Sequence, residues 1–80
     1  MTEAAIISEL TPLFQDVLDK PGLTLTPDTQ AADVPGWDSV AHITLVVVIE
    51  QKFGIHFNTA EIEELRNVGD LAKLIFIKKS

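Results

Sequence analysis

The sequence predicts an all-α domain: a four-helix bundle with a long loop between helices 1 and 2 and a short third helix. Three observations predict it. Apolar residues recur at helical spacing in the first 18 residues and again from Val68 to Ile75. Polar residues suited to helix capping stand before each apolar run, at Thr2, Asp38, Asn58 and Asn67. Between the first two runs, Pro21, Gly22, Pro27, Pro35 and Gly36 exclude a regular helix over residues 19–38.

The first helix spans residues 2–18, with Thr2 as N-cap and Ile6, Ile7, Leu10, Leu13, Phe14, Val17 and Leu18 on its apolar side. Pro12 lacks an N–H, so the reading requires a bend near Ser8–Thr11, or a second short helix capped by Thr11. In the loop that follows, Leu23, Leu25, Val34 and Trp37 are its expected anchors to the core. Leu23-Thr24-Leu25-Thr26 alternates like a strand but has no pairing partner, and is read as loop.

Residues 39–53 hold the β-prone run Ile43-Thr44-Leu45-Val46-Val47-Val48-Ile49. Its length, the capping Asp38 and the terminating Gly54 favour a helix, with Ile43, Val46, Ile49 and Phe53 inward. Val40 and Val47 fall off that face, next to Ser39. Asn58 and Glu61 form a capping box for a short helix through Leu65, buried by Ile62 and Leu65. Asn67 caps the last helix, with Asp70 in its first turn, Val68, Leu71, Leu74 and Ile75 inward, and Lys78 and Lys79 complementing its C-terminal dipole.

Eighty residues, 46% of them hydrophobic, suffice for one domain over 1–80 with a single small core. The absence of cysteine excludes disulfides, zinc–cysteine sites and a catalytic thiol in the chain itself. A net charge of −6 argues against nucleic acid, because no basic patch is present to release counterions. Twelve acidic and three basic side chains lie before residue 71, and three lysines follow, so the body of the domain suits partners with basic surfaces. The longest unbroken apolar run, Leu45–Ile49, is too short to span a bilayer, and no leader pattern opens the chain. These features predict a soluble, cytoplasmic monomer without membrane insertion.

One point carries chemistry. Ser39 follows the capping Asp38 at the start of an apolar helix, where a hydroxyl is exposed over the positive end of the helix dipole. That position suits a phosphate, bound or esterified. A serine hydrolase is the rival reading, with His42 three residues on. A nucleophile elbow needs small residues two before and two after the serine, and Trp37 occupies the first of these. No catalysis is therefore expected. His42 and His56 lie on separate elements, and the acidic residues lack calcium-loop spacing, so no metal site is predicted.

Gly36-Trp37-Asp38-Ser39-Val40-Ala41-His42-Ile43, Glu50-Gln51-Lys52-Phe53-Gly54-Ile55 and Asn67-Val68-Gly69-Asp70-Leu71 together resemble the acyl carrier protein family, in order and spacing over nearly the whole chain. The resemblance implies that Ser39 is esterified by 4′-phosphopantetheine from coenzyme A, through a phosphopantetheinyl transferase, and that acyl groups ride on the arm as thioesters. It also implies that Asp38 assists the modification besides capping the helix, and that acyl ligases or synthases with basic surfaces are partners. Family members serving fatty-acid synthesis usually have leucine where Val40 stands, and several acidic residues along the next helix, where this chain has only Glu50. A dedicated carrier for a specialised lipid or secondary-metabolite pathway is the resulting expectation. Val40, His42 and Val47 are read as a docking surface, with Glu50, Glu61, Glu63 and Glu64 supplying a negative field. Two alternatives stay open: an unmodified acidic interaction module, and a peptidyl carrier with aminoacyl cargo.

Overall fold

A computed structural model of the chain describes residues 2–79 and shows four α-helices: α1 (Glu3–Leu18), α2 (Ser39–Phe53), α3 (Thr59–Glu63) and α4 (Val68–Lys79). A short 3-10 helix, Ala31–Asp33, interrupts the loop between α1 and α2. That turn escapes a reading based on periodicity, because three residues are too few to show one.

Thr2 caps α1, its Oγ1 accepting from the Ala5 amide at 3.1 Å. The helix does not break at Pro12, which lies inside a continuous Glu3–Leu18. Pro12 has no N–H to offer the Ser8 carbonyl, and both residues are exposed, so the missing bond falls outside the core. The two-helix alternative is thereby corrected: Thr11 donates its hydroxyl to the Ile7 carbonyl at 2.9 Å instead of starting a new helix. The C-terminus closes on Asp19 in the left-handed region (φ 54), with the Lys20 amide returning to the Gln15 carbonyl at 2.9 Å.

The core is one cluster. Ile6, Leu10 and Phe14 of α1 meet Leu45, Val46, Ile49 and Phe53 of α2, and Val68, Leu71, Ala72 and Ile75 of α4, with Phe57 from the α2–α3 connection. α1 packs against both α2 and α4. Val34 is buried, and Leu23, Leu25 and Trp37 pack on the cluster, so the expected loop anchors hold. The loop is pinned to the start of α4 as well: the Val68 amide donates to the Thr29 carbonyl (2.9 Å) and the Gly69 amide to the Pro27 carbonyl (2.8 Å).

The inward face of α2 differs from the expected one. Leu45 replaces Ile43, which is exposed. At about 100° per residue, Ile43 lies roughly 110° from the centre of the arc holding Leu45, Val46, Ile49 and Phe53. Ile43 instead joins Val40 and Val47 on the outer side.

α3 has the expected capping box, the Asn58 amide donating to Glu61 Oε1 (2.9 Å) and the Glu61 amide to Asn58 Oδ1 (2.8 Å). It ends at Glu63, two residues before Leu65, while Ile62 and Leu65 still pack on the core. Asn67 Oδ1 accepts from the Asp70 amide at 2.8 Å at the start of α4. At its other end Lys78 pairs with Glu61 (3.0 Å), and Lys79 donates to the Phe53 carbonyl (3.0 Å) at the end of α2. The two lysines thus tie α4 to α3 and α2, beyond serving its own dipole. No helix among the described residues is long and apolar enough to cross a membrane.

Candidate functional site

The site is built where the loop enters α2. Asp38 adopts an extended backbone and its Oδ1 accepts from the Ala41 amide at 2.9 Å, which starts the helix at Ser39. The first bond of the helix runs from the His42 amide to the Asp38 carbonyl at 2.9 Å. The amides of the first turn point out of the helix end beside Ser39, where they favour an anion. Ser39 is exposed, and its hydroxyl has no hydrogen-bond partner among the described residues.

Trp37 fixes the approach to this corner. Its ring meets Phe14 edge-on (centroids 5.0 Å apart, planes at 87°) and stacks near His42 (6.0 Å, 25°). Its Nε1–H donates to His42 Nδ1 at 3.2 Å. Burial holds the His42 imidazole below its ordinary pKa, and the Trp37 donor opposes a second proton on Nδ1, so the ring is neutral at pH 7.

An open groove of about 840 Å³ begins at Ser39 and runs between α2 and α3, with Trp37, His42, Ile43, Ile62 and Glu63 among its walls. The exposed hydroxyl, the helix end and the adjoining groove fit a phosphate-linked arm. The donor set also fits, since Ser39 offers the oxygen such an ester needs and the chain has no thiol of its own.

The other residues singled out from sequence divide into two groups. Val40 (73% exposed), Ile43 (64%) and Val47 (45%) form an outward apolar stripe beginning beside Ser39. Glu63, on the groove wall, and Glu64 are exposed. Glu50 and Glu61 are engaged internally. Glu50 lies roughly 16 Å along α2 from Ser39, at 1.5 Å per residue. Its Oε2 accepts from the Phe57 amide (2.8 Å) and sits 3.2 Å from His56 Nδ1. The Asn58 amide, and after it Lys78, hold the Glu61 carboxyl below the usual range.

His42 Nδ1 is taken up by the Trp37 N–H, and no hydrogen bond joins His42 to Ser39 among the described residues, so the two do not form a nucleophile–base pair here. No three His, Asp or Glu side chains converge in a metal-binding group among the described residues. Sequence reasoning missed the Trp37–His42 pair, which crosses a helix cap and follows no helical period. It also missed Ile43 as a surface residue, although 40, 43 and 47 share one helix face.

Comparison with known proteins bears on this arrangement. The family model described as "Phosphopantetheine attachment site" matches residues 8–75. An acyl carrier protein of Helicobacter pylori (strain ATCC 700392 / 26695) is 27% identical over 71 residues, covering 89% of this chain and 91% of that protein. The acyl carrier protein MbtL of Mycolicibacterium paratuberculosis (strain ATCC BAA-968 / K-10) is 33% identical over 73 residues, covering 91% and 82%. The solution structure of a holo acyl carrier protein from Geobacter metallireducens superposes with a TM-score of 0.87 at 41% identity, covering 91% of this chain and 84% of that one.

Proposed function

Since the chain belongs to the phosphopantetheine attachment family, as an acyl carrier domain with no catalysis of its own, we propose that Ser39 bears the 4′-phosphopantetheine arm and that the carrier serves one specialised pathway. The observation that carries the first part is the exposed, unpartnered Ser39 hydroxyl at the first residue of α2, beside a groove. In the transfer, Ser39 Oγ gains a bond to the phosphorus that coenzyme A joins to its nucleotide. The pyrophosphate bond breaks, the nucleotide leaves with its phosphate, and the hydroxyl proton passes to base or solvent. Bound there, the arm supplies the thiol that the sequence lacks.

The second part rests on the face around Ser39. Val40, Ile43 and Val47 present an apolar stripe, and α2 carries no carboxylate before Glu50. Partners of this carrier, the transferase and the acyl-loading ligase or synthase, therefore dock on an apolar surface, with His42 at its inner edge and Glu63 on the adjoining groove wall, while the exposed Glu64 adds to the negative field. Glu50 and Glu61 contribute to the negative field from positions already engaged within the fold. The carrier acts as a cytoplasmic monomer in this reading.

The test is intact mass after incubation with coenzyme A, magnesium and a broad-specificity phosphopantetheinyl transferase, beside Ser39→Ala. The expected outcome is a gain of one phosphopantetheine, absent in the variant. No gain from folded protein would favour an unmodified interaction module. Loading the holo form with fatty acyl or aminoacyl groups by candidate ligases then separates acyl from peptidyl carriage.

A further inference from the structure

We propose that His42 is a positioning residue for the arm, donating a hydrogen bond from Nε2–H to the phosphodiester on Ser39. The proposal rests on Ser39 as the attachment point and goes beyond it, by assigning a side chain that would hold the linkage in place.

The tautomer comes first. His42 Nδ1 accepts from Trp37 Nε1 at 3.2 Å, so in the neutral ring the proton sits on Nε2. Trp37 is itself fixed edge-on against Phe14 of the core, which fixes the imidazole plane as well. Nε2 has no protein partner, and no side-chain nitrogen or oxygen is buried without one among the described residues, so Nε2 reaches solvent. The imidazole is a donor with its direction set and no acceptor among the described residues.

Position comes next. Residues three apart on a helix are neighbours, and helical side chains lean towards the N-terminus, so His42 reaches back over the turn that begins at Ser39. Both residues line the same groove. The charged side chains of that groove, Asp38 and Glu63, are both acidic and repel a phosphodiester. Donors must hold it, and His42 Nε2–H supplements the free amides at the start of α2. The competing explanation is that His42 only satisfies the Trp37 N–H, and the experiment is chosen to separate the two.

Intact mass first establishes that the sample is modified. The imidazole ¹⁵N and ¹H resonances of His42 are then recorded in apo and holo wild-type protein, together with the ³¹P resonance of holo wild type, His42→Phe and His42→Gln. The expected results are an Nε2–H proton that exchanges about tenfold more slowly in holo than in apo protein, and a ³¹P shift that moves in His42→Phe. His42→Gln, which keeps both an acceptor for Trp37 and a donor, should restore most of that shift. A purely structural His42 would leave the Nε2–H exchange alike in the two forms. That result in modified protein overturns this proposal alone, even if His42→Phe fails to fold. A sample that gains no mass removes the proposal along with the reading beneath it.

Discussion

Asp38 has two carboxylate oxygens, and the structure commits one of them. Oδ1 accepts from the Ala41 amide, while Oδ2 has no hydrogen-bond partner among the described residues and Asp38 is exposed. The cap and the expected assistance to the modification are therefore compatible, and two substitutions separate them. Asparagine caps about as well as aspartate, so Asp38→Asn should melt within a few tenths of a kcal/mol of wild type. Asp38→Ala should lose about 1 kcal/mol, or roughly 4–8 °C in Tm for a domain of this size. If the free oxygen assists modification, both variants should be phosphopantetheinylated about tenfold more slowly or worse. Thermal melts beside transfer rates read the two effects independently. Asp38→Asn modified at the wild-type rate would reduce Asp38 to a cap.

Helix packing explains why some elements were legible in the sequence and others were not. The caps at Thr2, Asp38, Asn58 and Asn67 were readable because each satisfies an amide within three residues, a local rule. The positions of Lys78 and Lys79 were not, since their partners Glu61 and Phe53 come from other helices. Ile43 was misplaced because α2 is apolar nearly all round, and hydrophobicity alone then leaves the inward arc undetermined. Gly69 belongs to the non-local class too. A Cβ there would stand 2.9 Å from the Pro27 carbonyl oxygen and 3.2 Å from Pro27 Cβ, where α4 meets the long loop. Alanine would gain about 1 kcal/mol of helix propensity, but the clash is with backbone, and the Gly69–Pro27 and Val68–Thr29 hydrogen bonds lie at that contact. Gly69→Ala should be net destabilising by about 1–3 kcal/mol, with faster amide exchange at Val68 and Gly69. Gly22→Ala, with open space at its Cβ and no positive φ, is the control and should change stability by less than about 1 kcal/mol. Urea denaturation of the three proteins decides the matter, and a Gly69→Ala variant as stable as wild type would mean that the loop yields freely.

At the scale of the whole molecule, charge and apolar surface act on different steps of association. The domain carries a net charge of −6, a field that speeds encounter with basic enzymes and is screened by salt. Yet Glu50 and Glu61 are taken up within the fold, and the surface extending from Ser39 along α2 is Val40, Ile43 and Val47. A partner docking there, as proposed, would make a desolvated rather than an ionic contact, and apolar contacts act on the lifetime of a complex more than on its encounter. Ile43→Ser tests this together with the corrected facing of α2. As a surface residue Ile43 should give up less than about 0.5 kcal/mol of fold stability, where a core isoleucine would cost about 2–5 kcal/mol on truncation. If partners bury it, the same change should raise KM for the transferase by about tenfold, from roughly 1.5 kcal/mol of lost apolar burial. Glu63→Gln with Glu64→Gln should instead flatten the dependence of kcat/KM on sodium chloride while leaving the high-salt value near wild type. Measuring kcat/KM between low and high salt for both variants separates the two contributions. Docking governed by charge would reverse the pattern, with Ile43→Ser silent and the double glutamine variant impaired at every salt concentration.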